Sequence, residues 1–204
     1  TDSRGCRARR YALASGQPTA ATPSDDTAMP TTIPRPAADE YLAYYDRYIT
    51  LVPEGNLVDL LVEQHRDTMR MLRSVSDERG LYAYAPGKWT IKEVIGHLSD
   101  AERIFAYRAL RFARGDAQPV AGFDENAYVP AGRFNERPIG DLADEFQAIR
   151  SATVHLFRHL DEEEMARRGI ANSNPISVRA LGFVIAGHER HHAKLLRERY
   201  GIGG

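Results

Sequence analysis

Four segments of this sequence repeat apolar residues at helical spacing, and the stretch between the second and third is far longer than a turn. Together these features restrict the chain to a helical bundle in which consecutive helices are not all antiparallel. The first segment, about Leu57 to Val75, carries Leu57, Leu60, Leu61, Gln64, Thr68, Met71, Leu72 and Val75 on one stripe. The second opens at Thr90-Ile91-Lys92-Glu93, a capping box in which hydroxyl and carboxylate each satisfy an orphan backbone donor. Trp89 and Val94 flank it as a hydrophobic staple, and the helix runs to about Arg114, stopping at Gly115. The third, about Gly140 to Leu160, turns Leu142, Phe146, Ile149, Phe157 and Leu160 inward. The fourth follows Asn174-Pro175, with Ser177 as N-cap, and ends near Tyr200 before Gly201. A shorter Tyr-rich helix is expected over Asp39 to Ile49, ended by Pro53 and Gly55 before Asn56 caps the next. No segment reads as a strand. The connection from Gly115 to Ile139, rich in Gly, Pro, Asn and Asp, exceeds what antiparallel neighbours need and has length to return along the bundle. The second and third helices are therefore expected to run parallel, giving an all-α four-helix bundle of up-down-down-up topology.

Residues 1–36 mix Thr, Ala, Ser, Asp and Pro with few large apolar residues, so burial cannot offset the entropy of ordering them. A disordered N-terminal extension is the expectation there, with one domain over 37–204. Met29 is a candidate natural start. An organelle-targeting arm is disfavoured by Asp2, Asp25 and Asp26, and no signal-peptide core follows the early arginines. Lys and Arg total 27 against 28 Asp and Glu, leaving no positive field for a nucleic-acid backbone or an anionic membrane. The single cysteine, Cys6, excludes an intrachain disulfide and a cysteine-rich zinc site, and a cytoplasmic setting is expected.

The chemistry concentrates at Gly187-His188-Glu189-Arg190-His191-His192. Imidazoles at i and i+4 stand one above the other on a helix, close enough to share an ion. Measured from His188, the stripe of Val178, Leu181, Val184, Ile185, Leu195 and Leu196 averages roughly 30°, His192 roughly +40° and His191 roughly −60°. His192 is thus expected inward with His188, and His191 at the solvent margin. By the same projection His155 and His159 face solvent. The segment also matches the His-Glu-x-x-His pattern of zinc proteases. Against that reading, Glu189 projects roughly 100° from His188, away from the stripe centre, and about a dozen residues follow His192. Glu189 is therefore read as a solvated helix residue. A third ligand is expected in His97, near Val94, Ala101, Ile104 and Phe105 on the buried side of the second helix, at similar depth if the two helices are antiparallel. The alternative is three hydrogen-bonded core histidines.

Trp89-Thr90-Ile91-Lys92-Glu93-Val94-Ile95-Gly96-His97-Leu98-Ser99-Asp100-Ala101-Glu102, then Phe123-Asp124-Glu125, then Gly187-His188 to Leu195 together resemble the DinB/YfiT superfamily. The resemblance spans roughly Asn56 to Tyr200. It implies an up-down-down-up bundle with one divalent metal held by His97, His188 and His192. Family members include bacillithiol and mycothiol S-transferases, a mycothiol-dependent isomerase and proteins with no known reaction. The expected function is a metal-dependent S-transferase that uses a low-molecular-weight thiol on a small-molecule substrate. The alternatives are a metal-dependent hydrolase and a non-catalytic bundle whose metal supports folding or a homodimer. Three imidazoles accept zinc, nickel, iron or copper. Arg108 lies roughly 20° from His97 on the same face and is the candidate for a substrate carboxylate, the alternative being a solvated arginine.

Overall fold

The computed structural model describes residues 33–203. The expected disordered extension falls outside the described residues up to position 32, as do Cys6 and Met29. Its last residues lie against the bundle, where Arg35 donates to the carbonyls of Ile49 (2.7 Å) and Val52 (2.6 Å). In chain order the elements are α1 (Asp46–Ile49), α2 (Leu57–Arg73), α3 (Asp77–Gly80), α4 (Ile91–Ala113) and α5 (Glu125–Gly132). There follow α6 (Ile139–Arg158), α7 (Glu162–Ala166), β1 (Arg168–Ala171), β2 (Asn174–Ser177) and α8 (Val178–Glu198).

The four long helices are those the apolar stripes predict, and their caps form as the sequence requires. The Asn56 side chain accepts from the amides of Val58 and Asp59, and Ser177 accepts from Ala180. Thr90 and Glu93 close the capping box of α4. Asn135 extends it, donating to Glu93 Oε1 (3.0 Å) and accepting from the Thr90 hydroxyl (2.6 Å), so the middle connection is tied to the start of α4.

Direction follows from the cross-helix pairs. Along α4 and α6 the numbers rise together: Lys92 and the Ile139 amide share Asp77 at one end, and Glu102 meets Arg150 further on. These two helices are parallel. Between α4 and α8 the order inverts, with His97 against His192 and Phe105 against His188. Gly182 lies beside Leu57, and Glu189 beside Gln64, so α2 and α8 are parallel. The Leu61 carbonyl accepts from Arg150 while Arg73 reaches Asp144, so α2 and α6 are antiparallel. The topology is up-down-down-up.

Three local expectations need correction. A strand pair exists: β1 and β2 form an antiparallel hairpin, register Arg168↔Ser177 to Ala171↔Asn174, turning at Asn172 (φ 48°) and Ser173 (φ 63°). Positive φ at both central positions is the hairpin-favoured turn, and Asn tolerates it. Strands of four residues are too short to show alternation. The Gly115 to Ile139 connection, to which the sequence assigned no element, holds α5, with Pro130 inside it, and a 3-10 turn at Phe134–Glu136. The Tyr-rich segment is two 3-10 turns, Ala38–Glu40 and Ala43–Tyr45, followed by the single turn of α1, because Tyr41 (φ −156°, ψ 162°) is extended between them.

The apolar core divides into two clusters. One gathers Leu57, Leu61, Phe105, Phe112, Phe157 and the first half of α8; the other gathers Leu72, Ile91, Ile95, Leu142, Phe146 and Leu196. Between them lies a buried polar layer: Gln64 and Thr68 from α2, His97 and Glu102 from α4, Arg150 from α6, and His188, Glu189 and His192 from α8. Among the described residues no helix is long and apolar enough to cross a membrane.

Candidate metal centre

The histidines occupy the α4–α8 side of this layer. His188 Nε2 stands 3.1 Å from His97 Nε2 and 3.2 Å from His192 Nε2, and all three nitrogens fall within 4.8 Å of one another. Each ring is at most 7 % exposed. Two nitrogens held by one ion at about 2.0–2.1 Å with tetrahedral angles are about 3.3 Å apart, close to the observed separations. The protons tell the same story. His188 Nε2 faces two neighbours of the same kind but carries at most one hydrogen, so it cannot satisfy both, and the buried Nδ1 of His192 has no partner. A cation at the convergence takes all three lone pairs, and the donor set therefore fits a metal ion.

Electrostatics favour the ligand form of each ring. Burial, with the charge of His191, pushes His97 down to about 4. Burial first, and then neighbouring histidines, hold His188 and His192 well below the ordinary imidazole range. All three are neutral near pH 7 and carry a free lone pair.

Packing fixes the rings from behind. Trp89 lies against His97 with centroids 4.8 Å apart, and Tyr48 meets His188 edge-on at 5.1 Å. The close seat of Tyr48 needs Gly187, since a Cβ there would stand 2.1 Å from the Tyr48 carbonyl oxygen. Gly96 does the same for Phe134 of the middle connection, whose ring atoms would be 2.3 Å from a Cβ. Each of these glycines precedes a metal-site histidine and lets a neighbouring segment press onto its helix.

Beside His97 and His188 lies an open cavity of about 260 Å³ walled by Tyr45, Tyr48, Ala101, Phe105 and Arg108, and also lined by the hairpin residues Asn172 and Asn174. His97, His188 and Arg108 therefore share one space, and His192 completes the nitrogen triangle beside it. His191, His155 and His159 are exposed, as the stripe geometry predicts. Arg108 is buried rather than solvated, at 2 % exposure.

Glu189 overturns its expected place. It is 1 % exposed and pairs with Arg150, whose Nη1 lies 2.5 Å from Glu189 Oε2. Gln64 also donates to that oxygen. The solvated reading fails because α8 is packed by α2 and α1 as well as α4, which buries a far wider arc than one stripe. Arg150 also forks onto Glu102, Nε to Oε1 at 2.8 Å and Nη2 to Oε2 at 2.7 Å, and donates to the Leu61 carbonyl at 3.2 Å. Glu189 Oε2 is thus engaged by Arg150 and Gln64, whereas the base of a His-Glu-x-x-His protease is free to take a proton beside the ion. Sequence reasoning missed this network, and missed Tyr45, Tyr48 and the two asparagines. The Tyr41, Tyr44, Tyr45 and Tyr48 cluster was the available signal for the tyrosines.

The profile of the DinB superfamily matches residues 60–196, a span that contains all three histidines. The chain belongs to the DinB superfamily. Two Oceanobacillus iheyensis proteins, both provisionally named metal-dependent hydrolases, are similar in sequence. One is 28 % identical over 123 residues (59 % of this chain, 70 % of the relative), the other 26 % over 149 residues (68 % and 86 %). Among solved structures, Bacillus subtilis YfiT, described as a metal-dependent hydrolase of provisional assignment with an unusual four-helix bundle topology, superposes with TM-score 0.60 at 17 % identity. The match covers 69 % of this chain and 84 % of YfiT. A mycothiol-dependent maleylpyruvate isomerase superposes with TM-score 0.58 at 13 % identity, over 68 % of this chain and 58 % of the isomerase. Both structural likenesses concern the fold, and the DinB bundle is the scaffold that sets these histidines at one depth.

Proposed function

We propose that this DinB protein is a metal-dependent enzyme that activates the sulfur of a low-molecular-weight thiol for transfer to a small electrophile. The observation that carries the reading is a three-imidazole site with no carboxylate in the ligand group, opening on a cavity whose lining holds a single carboxylate, Glu125. A divalent ion bound there supplies Lewis acidity, which lowers a thiol pKa from about 8.5 towards neutrality. The thiol proton then leaves to solvent without a dedicated base, the sulfur pair forms the new carbon–sulfur bond, and the electrophile's leaving group departs with the displaced pair. His97, His188 and His192 would hold the ion, and Tyr48 and Phe105, packed on His188, would exclude water around it. The described residues contain no cysteine, so the sulfur comes from a cofactor of the bacillithiol or mycothiol class. The mycothiol dependence named for the structurally similar isomerase supports this choice.

The names of the sequence relatives favour a second reading, hydrolysis. That chemistry wants a general base near the ion, and Glu189, the residue its sequence position suggests, is committed to Arg150. The test is conjugation of a reactive electrophile by tag-free, metal-loaded protein against glutathione, bacillithiol, mycothiol and coenzyme A. At least one thiol should react over 100-fold faster than with His188→Ala. Equal rates for the two proteins with every thiol overturn the proposal, and thiol-independent ester cleavage lost in His188→Ala would establish the hydrolase instead.

A further inference from the structure

Among the described residues Arg108 is a charged group without a counter-charge. At 2 % exposure it donates Nη2 to the Ala121 carbonyl at 2.9 Å and stands beside the Tyr45 hydroxyl, and its buried Nε has no partner among the described residues. No carboxylate oxygen of the described residues approaches within 4.0 Å. Glu125 lines the same cavity but does not pair with it. The other buried cations among the described residues are matched: Arg150 by Glu102 and Glu189, Lys92 by Asp77. An uncompensated buried guanidinium is costly, and folds keep one where a ligand completes it.

Its place on α4 gives the ligand a shape. His97, Ala101, Phe105 and Arg108 climb one wall of the cavity, with the small Ala101 leaving room directly beyond His97. The Cα atoms of His97 and Arg108 are about 16 Å apart along the helix, and the arginine side chain leans back towards the N-terminus, so the gap to bridge is on the order of 10 Å. The walls are aromatic, with Tyr44, Tyr45, Tyr48, Phe105 and Phe123. A volume of about 260 Å³ admits on the order of ten non-hydrogen atoms.

We propose that Arg108 is the anion-binding residue of this site and that the electrophile is a small planar organic carboxylate, held with its carboxylate on Arg108 and its reacting end towards His97 and His188. This rests on the cavity being the substrate site, as proposed above. A guanidinium takes a carboxylate through two parallel N–H donors, and Arg108 Nε is free for one of them.

The experiment is calorimetric titration of the protein, metal-loaded and metal-stripped, with cinnamate and with its neutral analogue cinnamamide. Wild type should prefer cinnamate at least tenfold. Arg108→Gln should lose that preference while binding cinnamamide as wild type does, and Arg108→Lys should keep part of it. Because Arg108 is remote from the histidines, the preference should persist in metal-stripped protein. Wild type without preference, or Arg108→Gln that retains it, overturns the proposal. A thermal melt separates a structural role: Arg108→Gln should melt at or above wild type, since a stranded charge is removed, and a large drop would make Arg108 a structural residue and sink the idea. Failure of thiol conjugation leaves the cinnamate preference standing, so the two proposals fail separately.

Discussion

Neighbouring histidines in one helix carry opposite fates here, and an angle of roughly 100° per residue decides between them. His192 turns into the layer and places Nε2 3.2 Å from His188, while His191 stays exposed against the outer edge of Tyr48 at 5.5 Å. His192→Ala should therefore lose stoichiometric metal, measured by elemental analysis of tag-free protein, and His191→Ala should keep it. The reverse pattern would mean that α8 is rotated about its axis. Most helix should survive in both variants, because each apolar cluster is anchored by side chains worth about 1.5–3 kcal/mol apiece on full burial. The same projection misjudged Glu189. Its partner Arg150 lies 39 residues earlier on another helix, and no local pattern announces a pairing across that distance.

Elements were legible in proportion to their length and their caps. Helices α2, α4, α6 and α8 each show a long apolar period, and α2, α4 and α8 a cap that forms, whereas β1 and β2 offer four residues each and rest on Val120, which exchanges hydrogen bonds with Ile170 and Asn172. The middle connection serves as the return path its length implies, and it holds α5, a short helix that no apolar stripe announces and that contains Pro130. Short α1 is held by close approach more than by propensity: its Tyr48 carbonyl lies where Gly187 has no side chain. Gly187→Ala would gain up to about 1 kcal/mol of helix propensity in isolation, yet backbone at 2.1 Å cannot yield as a flexible side chain can. The variant should be destabilised by about 1–3 kcal/mol in urea unfolding. Greater stability than wild type would show that α1 is not seated on α8 as described.

Across the whole molecule, one guanidinium joins all four long helices. Arg150 of α6 binds Glu102 of α4, Glu189 of α8 and the Leu61 carbonyl of α2, in the layer that separates the two apolar clusters. Two carboxylates against one arginine leave this layer net negative beside the histidines, which suits a cation there. Burial alone would push the Glu189 carboxyl up, but the Arg150 charge and the hydrogen bonds it receives more than offset this and hold it below the usual range. A depressed folded pKa adds stability that is fully present above the unfolded value of 4.5 and is lost as pH falls through the folded one. Two histidines act earlier: half-buried His65 and buried His97, both pushed down to about 4 chiefly by desolvation, stay neutral while the unfolded chain takes protons, so metal-free protein should weaken from pH 6.5 downward. Arg150→Met removes the central cation and strands two buried carboxylates, which should cost about 3–5 kcal/mol at pH 7. With the Arg150 charge gone and only the Gln64 and Thr68 hydrogen bonds opposing burial, Glu189 in that variant takes up a proton more readily, so the stability gap from wild type should narrow as pH falls towards 4.5 and below. Chemical unfolding of both proteins between pH 7 and pH 4 reads the gap directly. A gap that is small at pH 7, or that widens towards acid, would show that the four helices are not fastened through Arg150.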